Sequence, residues 1–415
     1  MVKSRLIYIL LTLSLSSTLI SFTSCVNEES IEQDTVQTGA EMLIENHLDE
    51  LDGKRVGLVM NPTARIGETH MLDTLMTLGV NVEALYAPEH GFRGEAGAGE
   101  IIEDGVDQQT GLPVYSLYGA SRKPTAEMLE AVDLLLFDMQ DVGARFYTYI
   151  ATLGLVMEAA SESGIPVWVL DRPNPLGGNY VSGWMLDEEF ESFVGPYPIP
   201  AIHGLTMGEM ARMIAGEQWM NFDSDPELRV IQMKGWTRDM IWPDTGLEWV
   251  APSPNLATFE QAFLYPGTVY FEGTTLSEGR GTDQPFLVLG GPETSLSEEK
   301  IHELNQLTDQ LEVRPLSFTP RSIPGVAPTP KHLDTESYGV QITLHGYEFD
   351  PVRVGLKLFQ EILNASPGAE TNDFLYNLAG SREIDRIISG EVNPLEVNFG
   401  LESFLEERRE YLIYE

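Results

Sequence analysis

A chain of 415 residues, 42% hydrophobic and only 21% charged, has the material for two domains with a substantial core. Its 25 basic residues face 64 acidic ones, and a formal charge of -39 repels polynucleotides and anionic surfaces, so no nucleic-acid partner is expected. The single cysteine, Cys25, excludes an intramolecular disulfide, a cysteine metal cluster and a catalytic thiol in the folded body.

The chain opens with a targeting pattern. Lys3 and Arg5 precede an apolar stretch over residues 6–20, and Ser21-Phe22-Thr23-Ser24-Cys25 follows. This order resembles a bacterial lipoprotein signal, with cleavage before Cys25 and lipid on its thiol; an ordinary secretory peptide or an N-terminal anchor is the alternative. The expected product is an exported, membrane-anchored lipoprotein on the periplasmic or cell-surface face. Residues 25–40 are acidic, polar and non-periodic, as a tether would be.

Beyond the tether, four buried strand-like runs each stop abruptly in polar residues. Val56–Met60 runs into Asn61-Pro62-Thr63, and Val82–Ala87 into Pro88-Glu89-His90-Gly91. The run over 132–137 meets Asp138-Met139-Gln140-Asp141, and Val167–Leu170 meets Asp171-Arg172-Pro173-Asn174-Pro175. Helix-like stretches over 69–78, 124–132 and 148–163 separate them, a helix follows over 206–216, and a further strand over 228–233. The pattern is a series of βα units of one parallel sheet, and in such sheets the ligand crevice lies outside the carboxyl ends of the strands. After Pro252 the character changes: a strand is expected over 265–275, a Gly-rich polar loop over 278–283, a strand over 340–344, and helices over 351–363, 372–388 and 401–414. The fold class is therefore α/β, a catalytic parallel-sheet domain over 41–252 followed by a smaller α+β domain over 253–415 that completes a cleft.

Glu89, one residue past a proline at a strand end and beside Phe92, is the candidate general acid, the alternative being a loop carboxylate paired with Arg93. Asp141 is the candidate second charge, Asp138 reading as a local cap. Asp171 either meets substrate or forms an internal pair or Asx-turn with its loop. His203 is a ligand, a substrate donor or a helix-start residue. Asn61, His90, Arg93, Arg145, Arg172, Asn174, His203, Asn255, Glu278 and Arg280 complete the candidate binding set. There is no Walker loop, no Gly-x-Ser-x-Gly elbow and no His-Glu-x-x-His helix, and Gly97-Ala98-Gly99 lacks the context of a dinucleotide fingerprint, so no cofactor is expected.

These segments, together with Leu117-Tyr118-Gly119, Tyr147-Thr148-Tyr149, His203-Gly204-Leu205-Thr206, Pro252-Ser253-Pro254-Asn255 and Ser277-Glu278-Gly279-Arg280-Gly281-Thr282, resemble the exo-β-N-acetylmuramidase family, formerly a domain of unknown function. The resemblance implies a Rossmann-like N-terminal domain, a smaller C-terminal domain, and release of terminal N-acetylmuramic acid from the non-reducing end of peptidoglycan fragments. It places the family's Glu-His-Gly glutamate, the acid/base, on Glu89. For the second group Asp141, Asp171 and the substrate's own 2-acetamido oxygen stay open. The lactyl carboxylate of muramic acid calls for an arginine, with Arg93, Arg172 and Arg280 as candidates. Two rival readings are a metal-dependent hydrolase using His90, Asp138, Asp141, Asp171 and His203, and a lipid-anchored sugar-binding protein without turnover.

Overall fold

The computed structural model describes residues 35–93, 100, 103–119 and 121–415. Cys25, the signal-like segment and the Gly97-Ala98-Gly99 stretch lie outside the described residues. The end of the expected tether does not: Val36 is buried, and Thr38 caps helix α1 (Gly39–Asn46) through a reciprocal capping box with Glu41.

Seven strands form the main sheet: β1 (Val56–Met60), β2 (Val82–Ala87), β3 (Gly105–Val106), β4 (Pro113–Ser116), β5 (Leu134–Asp138), β6 (Val167–Leu170) and β7 (Leu228–Ile231), in the order β7-β6-β5-β1-β2-β4-β3. Every neighbouring pair is parallel except β3 with β4 at one edge. All positions of β1, β5 and β6 are buried, which is why they read as continuous apolar runs and not as alternating ones. Alternation survives in what each residue packs against. Val59, Leu135, Phe137, Val167 and Val169 belong to one core cluster, while Leu58, Met60, Leu134, Leu136 and Leu170 belong to another on the opposite face.

The connecting helices are α2 (Met71–Thr77), α3 (Ala126–Leu129), α4 (Tyr149–Ser163) and α5 (Met207–Gly216). Gly164, at φ 63, ends α4 in the left-handed conformation, and Thr206 with Glu209 opens α5 by a capping box. From β1 the chain winds outward through β2 and β4; from β5 it winds the other way through β6 and β7. The winding reverses between β1 and β5, so the crevice belongs at their carboxyl ends.

The smaller C-terminal domain holds helices α6 (Phe259–Thr268), α7 (Glu298–Leu304), α8 (Pro351–Asn364), α9 (Phe374–Ala379), α10 (Ile384–Ile388) and α11 (Glu402–Glu407). Its antiparallel sheet has the order β8 (Val288–Gly291), β10 (Ser337–Leu344), β9 (Leu311–Phe318). Three expectations change here, one of them near residue 401, where the helix expected over 401–414 is α11 followed by a 3-10 turn, Arg408–Tyr411. The aromatic stretch expected as a strand over 265–275 is the end of α6 and a 3-10 turn, Val269–Gly273, because a Thr258–Gln261 capping box starts a helix and burial against α8 overrides strand propensity. The helix expected over 372–388 breaks into α9 and α10 at Gly380, which has φ 73.

Helices α6 and α8 cross at a glycine pair. A Cβ on Gly355 would lie 2.2 Å from the Cα of Gly267, and one on Gly267 would lie 1.9 Å from the carbonyl oxygen of Pro351. Helix propensity alone favours alanine over glycine by about 1 kcal/mol. Overpacking opposes it by about 1–3 kcal/mol or more, since the obstruction is backbone and cannot swing away. Gly355→Ala is therefore expected to lower the thermal midpoint, read by circular dichroism; an unchanged or raised midpoint would mean that the helices can separate at little cost.

Candidate active site

The turn after β2 is sharp. His90 has φ 75 and Gly91 φ 82, two successive left-handed residues, and His90 is buried despite its side chain. That turn directs Glu89 into a cavity of about 620 Å³, in the range of small-molecule sites. The Thr148 hydroxyl, at the mouth of α4, donates to Glu89 Oε2 at 2.8 Å. Tyr149 donates to the carbonyl of Pro252 at 2.7 Å and lies 3.4 Å from the carbonyl of Glu89. Burial pushes the Tyr118 phenol up to about 12, with the charge and hydrogen bond of neighbouring Glu89 adding to it. Tyr118 thus stays a neutral donor beside the carboxylate.

The opposite wall comes from the C-terminal domain. Arg280 reaches the cavity with Nη2 donating to Glu272 Oε1 at 2.7 Å and Nε lying 3.4 Å from Glu278 Oε1. Lys331 Nζ sits 3.0 Å from Glu278 Oε2, so two cations balance two carboxylates. Glu272 lines the cavity; burial pushes its carboxyl up while Arg280 opposes the shift. Asn255 does not line the cavity. Its amide donates to the Val326 carbonyl at 2.9 Å, holding a segment that does.

Glu89, His90 and Arg280 are therefore brought together at the cavity, with Glu278 behind Arg280. The other candidates serve the scaffold. Asp171 accepts from the Thr206 hydroxyl (2.8 Å), the Gly208 amide (2.8 Å), its neighbour's amide (3.0 Å) and the Tyr414 hydroxyl (2.6 Å). Burial still pushes it up to about 6. Arg172 forms a buried pair with Asp138 through Nε and Nη2. Arg93 lies 3.4 Å from both Asp107 and Asp73. Asn174 bonds the carbonyl of Leu205 and the amide of Leu176. Asn61 accepts from Thr63, whose hydroxyl takes the Gln140 amide, tying the ends of β1 and β5 together. His203 Nδ1 accepts from the Leu205 amide, and burial brings its ring down to about 3, which keeps it neutral. Arg145 donates to the carbonyls of Trp184, Ile199 and Leu378. Each is a strand-end or loop residue held by nearby backbone or a side-chain partner, although Asn61 Nδ2, Arg145 Nε and His203 Nε2 are buried without a hydrogen-bond partner among the described residues. Among the described residues no three His, Cys, Asp or Glu side chains gather as a metal site.

Asp141 is the unusual one. It does not line the cavity; it is buried, its Oδ1 accepts from the Gly143 amide at 2.7 Å, and its Oδ2 has no partner among the described residues. Tyr147 and Tyr149 lie within electrostatic reach of both Asp141 and Glu89.

Several cavity residues carry no motif of their own. Tyr118 and Thr148 fall inside stretches quoted above, but Arg122 and Phe193 come from loops without periodicity or spacing that would single them out.

Burial pushes the Asp141 carboxyl up to about 7. Between its ordinary value near 4 and that point, the folded protein holds a proton that the unfolded chain has released, so this group lowers stability progressively as pH rises through the window. Asp141→Asn keeps an acceptor for Gly143 and removes the charge. The thermal midpoint of the variant minus that of wild type is expected to be larger at pH 8 than at pH 5. A difference that does not grow with pH would show that Asp141 ionises normally in the fold.

Residues 56–260 match the family described as "Exo-beta-N-acetylmuramidase NamZ, N-terminal", and residues 263–414 its C-terminal counterpart. A curated relative, the peptidoglycan beta-N-acetylmuramidase NamZ of Bacillus subtilis (strain 168), is 42% identical over 397 residues, 91% of each chain. Two crystal structures of DUF1343 family proteins from Bacteroides fragilis NCTC 9343 superpose with TM-scores of 0.80 and 0.74, at 33% and 31% identity, covering 92% of this chain and 99% of theirs. With both family domains matched in order over residues 56–260 and 263–414, the chain belongs to the NamZ exo-β-N-acetylmuramidase family.

Proposed function

We propose that the protein is an exo-acting glycosidase that releases terminal N-acetylmuramic acid from the non-reducing end of peptidoglycan fragments in cell-wall turnover. The observation that carries this reading is Glu89, aimed from the end of β2 into a cleft and oriented by Thr148, in a chain 42% identical to a named muramidase. Glycoside hydrolysis needs a proton donor to the leaving oxygen and a group that faces the oxocarbenium-like charge. Glu89 is the donor. Among the described lining residues, Glu272 is the other carboxylate, and it takes the part first considered for Asp141 and Asp171, directly or by steadying the 2-acetamido oxygen.

Glu89→Gln keeps shape and hydrogen bonding but cannot donate the proton. Activity on a natural muramic acid–glucosamine disaccharide is expected to fall by roughly 10²–10⁴-fold. A nitrophenyl muramide, whose leaving group departs as an anion with little help, should lose far less. Equal losses on both substrates with an unchanged melt would move Glu89 from proton transfer to binding, and near-wild-type activity on the disaccharide would remove it from the mechanism.

We also propose that the protein is exported and anchored by lipid on Cys25. The support is the order of basic, apolar and small residues before that cysteine, and it suits an enzyme whose polymer lies outside the cytoplasmic membrane. Full-length protein should partition with membranes, and Cys25→Ala should release it; a Cys25→Ala protein still bound to membranes after signal cleavage would refute lipidation.

A further inference from the structure

The arginines expected to hold the lactyl carboxylate are committed elsewhere. Arg172 is buried against Asp138, Arg93 lies between Asp107 and Asp73, and Arg280 reaches the cavity already paired with Glu272 and Glu278. An anion approaching Arg280 meets two carboxylates and two cations that cancel, and it must displace Glu272 from the guanidinium edge. Another arginine at the cavity, from the N-terminal domain, has no such competitor. Arg122 lines the cavity, is exposed, and has no ion pair with any described residue.

Its position is nevertheless defined. The guanidinium lies over the Phe193 ring, 4.2 Å from the centroid. Phe193 packs against Tyr118 with centroids 6.2 Å apart, and Tyr118 is the phenol beside Glu89. Stacking on an aromatic face limits the freedom of the side chain and leaves the in-plane N–H donors unused. This is a preorganised fork with open donors, one aromatic layer from the acid. Arg122, Ser192 and Phe193 also form the ridge between the cavity and an adjoining depression of about 900 Å³, so a substituent projecting from a sugar ring in the cleft would pass over the guanidinium.

We propose that Arg122 reads the lactyl carboxylate of the terminal muramic acid by a bidentate, charge-assisted pair, and is the residue that separates muramic acid from N-acetylglucosamine. The inference rests on the muramidase reading. The carboxylate is remote from the bond being broken, so the contact is the same in ground and transition states and acts on KM more than on kcat.

The test compares nitrophenyl β-glycosides of N-acetylmuramic acid and N-acetylglucosamine, which differ by the lactyl group, on wild type, Arg122→Ala and Arg122→Lys. Hydrogen bonds to charged groups contribute enough that Arg122→Ala should lose roughly 10- to 100-fold in kcat/KM on the muramide, mostly through KM. The rate on the glucosaminide should not move, and the melt should match wild type. Arg122→Lys, which keeps the charge without the fork, should recover part of the preference. Should the alanine variant melt early, Arg122→Gln, which keeps most of the side chain's length, replaces it. Wild type that prefers the muramide while Arg122→Ala keeps the full preference overturns the role of Arg122 and leaves the muramidase reading standing. Equal losses on both glycosides overturn it too, as the mark of a structural residue. Wild type that cleaves neither glycoside nor the natural disaccharide overturns the muramidase reading and this inference together.

Discussion

The cleft depends on one buried cation. Arg145 follows β5, is fully buried, and meets no carboxylate; its guanidinium is held by the carbonyls of Trp184, Ile199 and Leu378. Burial brings it down to about 10, which leaves it charged at neutral pH. Leu378 belongs to α9 and lines the cavity, so this guanidinium fastens the C-terminal domain to the end of the parallel sheet at a fixed place. The site accommodates the charge by geometry: Gly380, left-handed at φ 73, leaves room where a Cβ would come within 2.4 Å of Arg145 Nη2. A buried charge costs several kcal/mol unless its donors are met; three carbonyls take Nη1 and Nη2 here, with no counter-charge to compete for substrate, while Nε has no partner among the described residues.

The polar residues at the strand ends divide into two groups with different work. Asn61, Asp138, Asp171, Arg172 and Asn174 are almost wholly buried, and their bonds run to backbone or to one another. They stiffen the loops at the switch point. Glu89 is presented to the cavity because the chain turns through two left-handed residues directly after it. The rule that ligands lie beyond the carboxyl ends of parallel strands located the site; it could not say which of the polar side chains there face the cleft and which face the interior.

Legibility in the sequence follows the same division. The parallel strands could be read because burial on both faces writes an unbroken apolar run, and α4 and α5 because their periodicity and caps are local. Strand β9 escaped because Arg314 and Pro315 interrupt it and its outer half is solvated, while the aromatic stretch after Tyr265 carries strand composition in a segment that tertiary packing makes helical. Glu89, His90 and Arg280 stand in motifs and were found at the cavity. The commitment of Arg172 to Asp138, 34 residues away, and of Asp171 to Tyr414, 243 residues away, is tertiary and leaves no local trace. Arg122 and Phe193 likewise become neighbours only when two unpatterned loops meet.

The bond from Tyr414 to Asp171 also bears on how the molecule assembles. It closes a loop of 243 residues onto a carboxylate at the end of β6. Loop-closure entropy rises only logarithmically, so the length adds little to the equilibrium cost; the kinetic consequence is greater, since contacts of such separation form late. Until the segment around Tyr414 docks, Asp171 lacks one of its donors, and the Met233 amide lacks the same tyrosine's oxygen as an acceptor. A nascent chain that has completed the parallel sheet therefore waits, with its polar edge unfinished, for residues made at the far end of the sequence. Sheet and C-terminal segment are joined into one cooperative unit, not two that fold and fail independently.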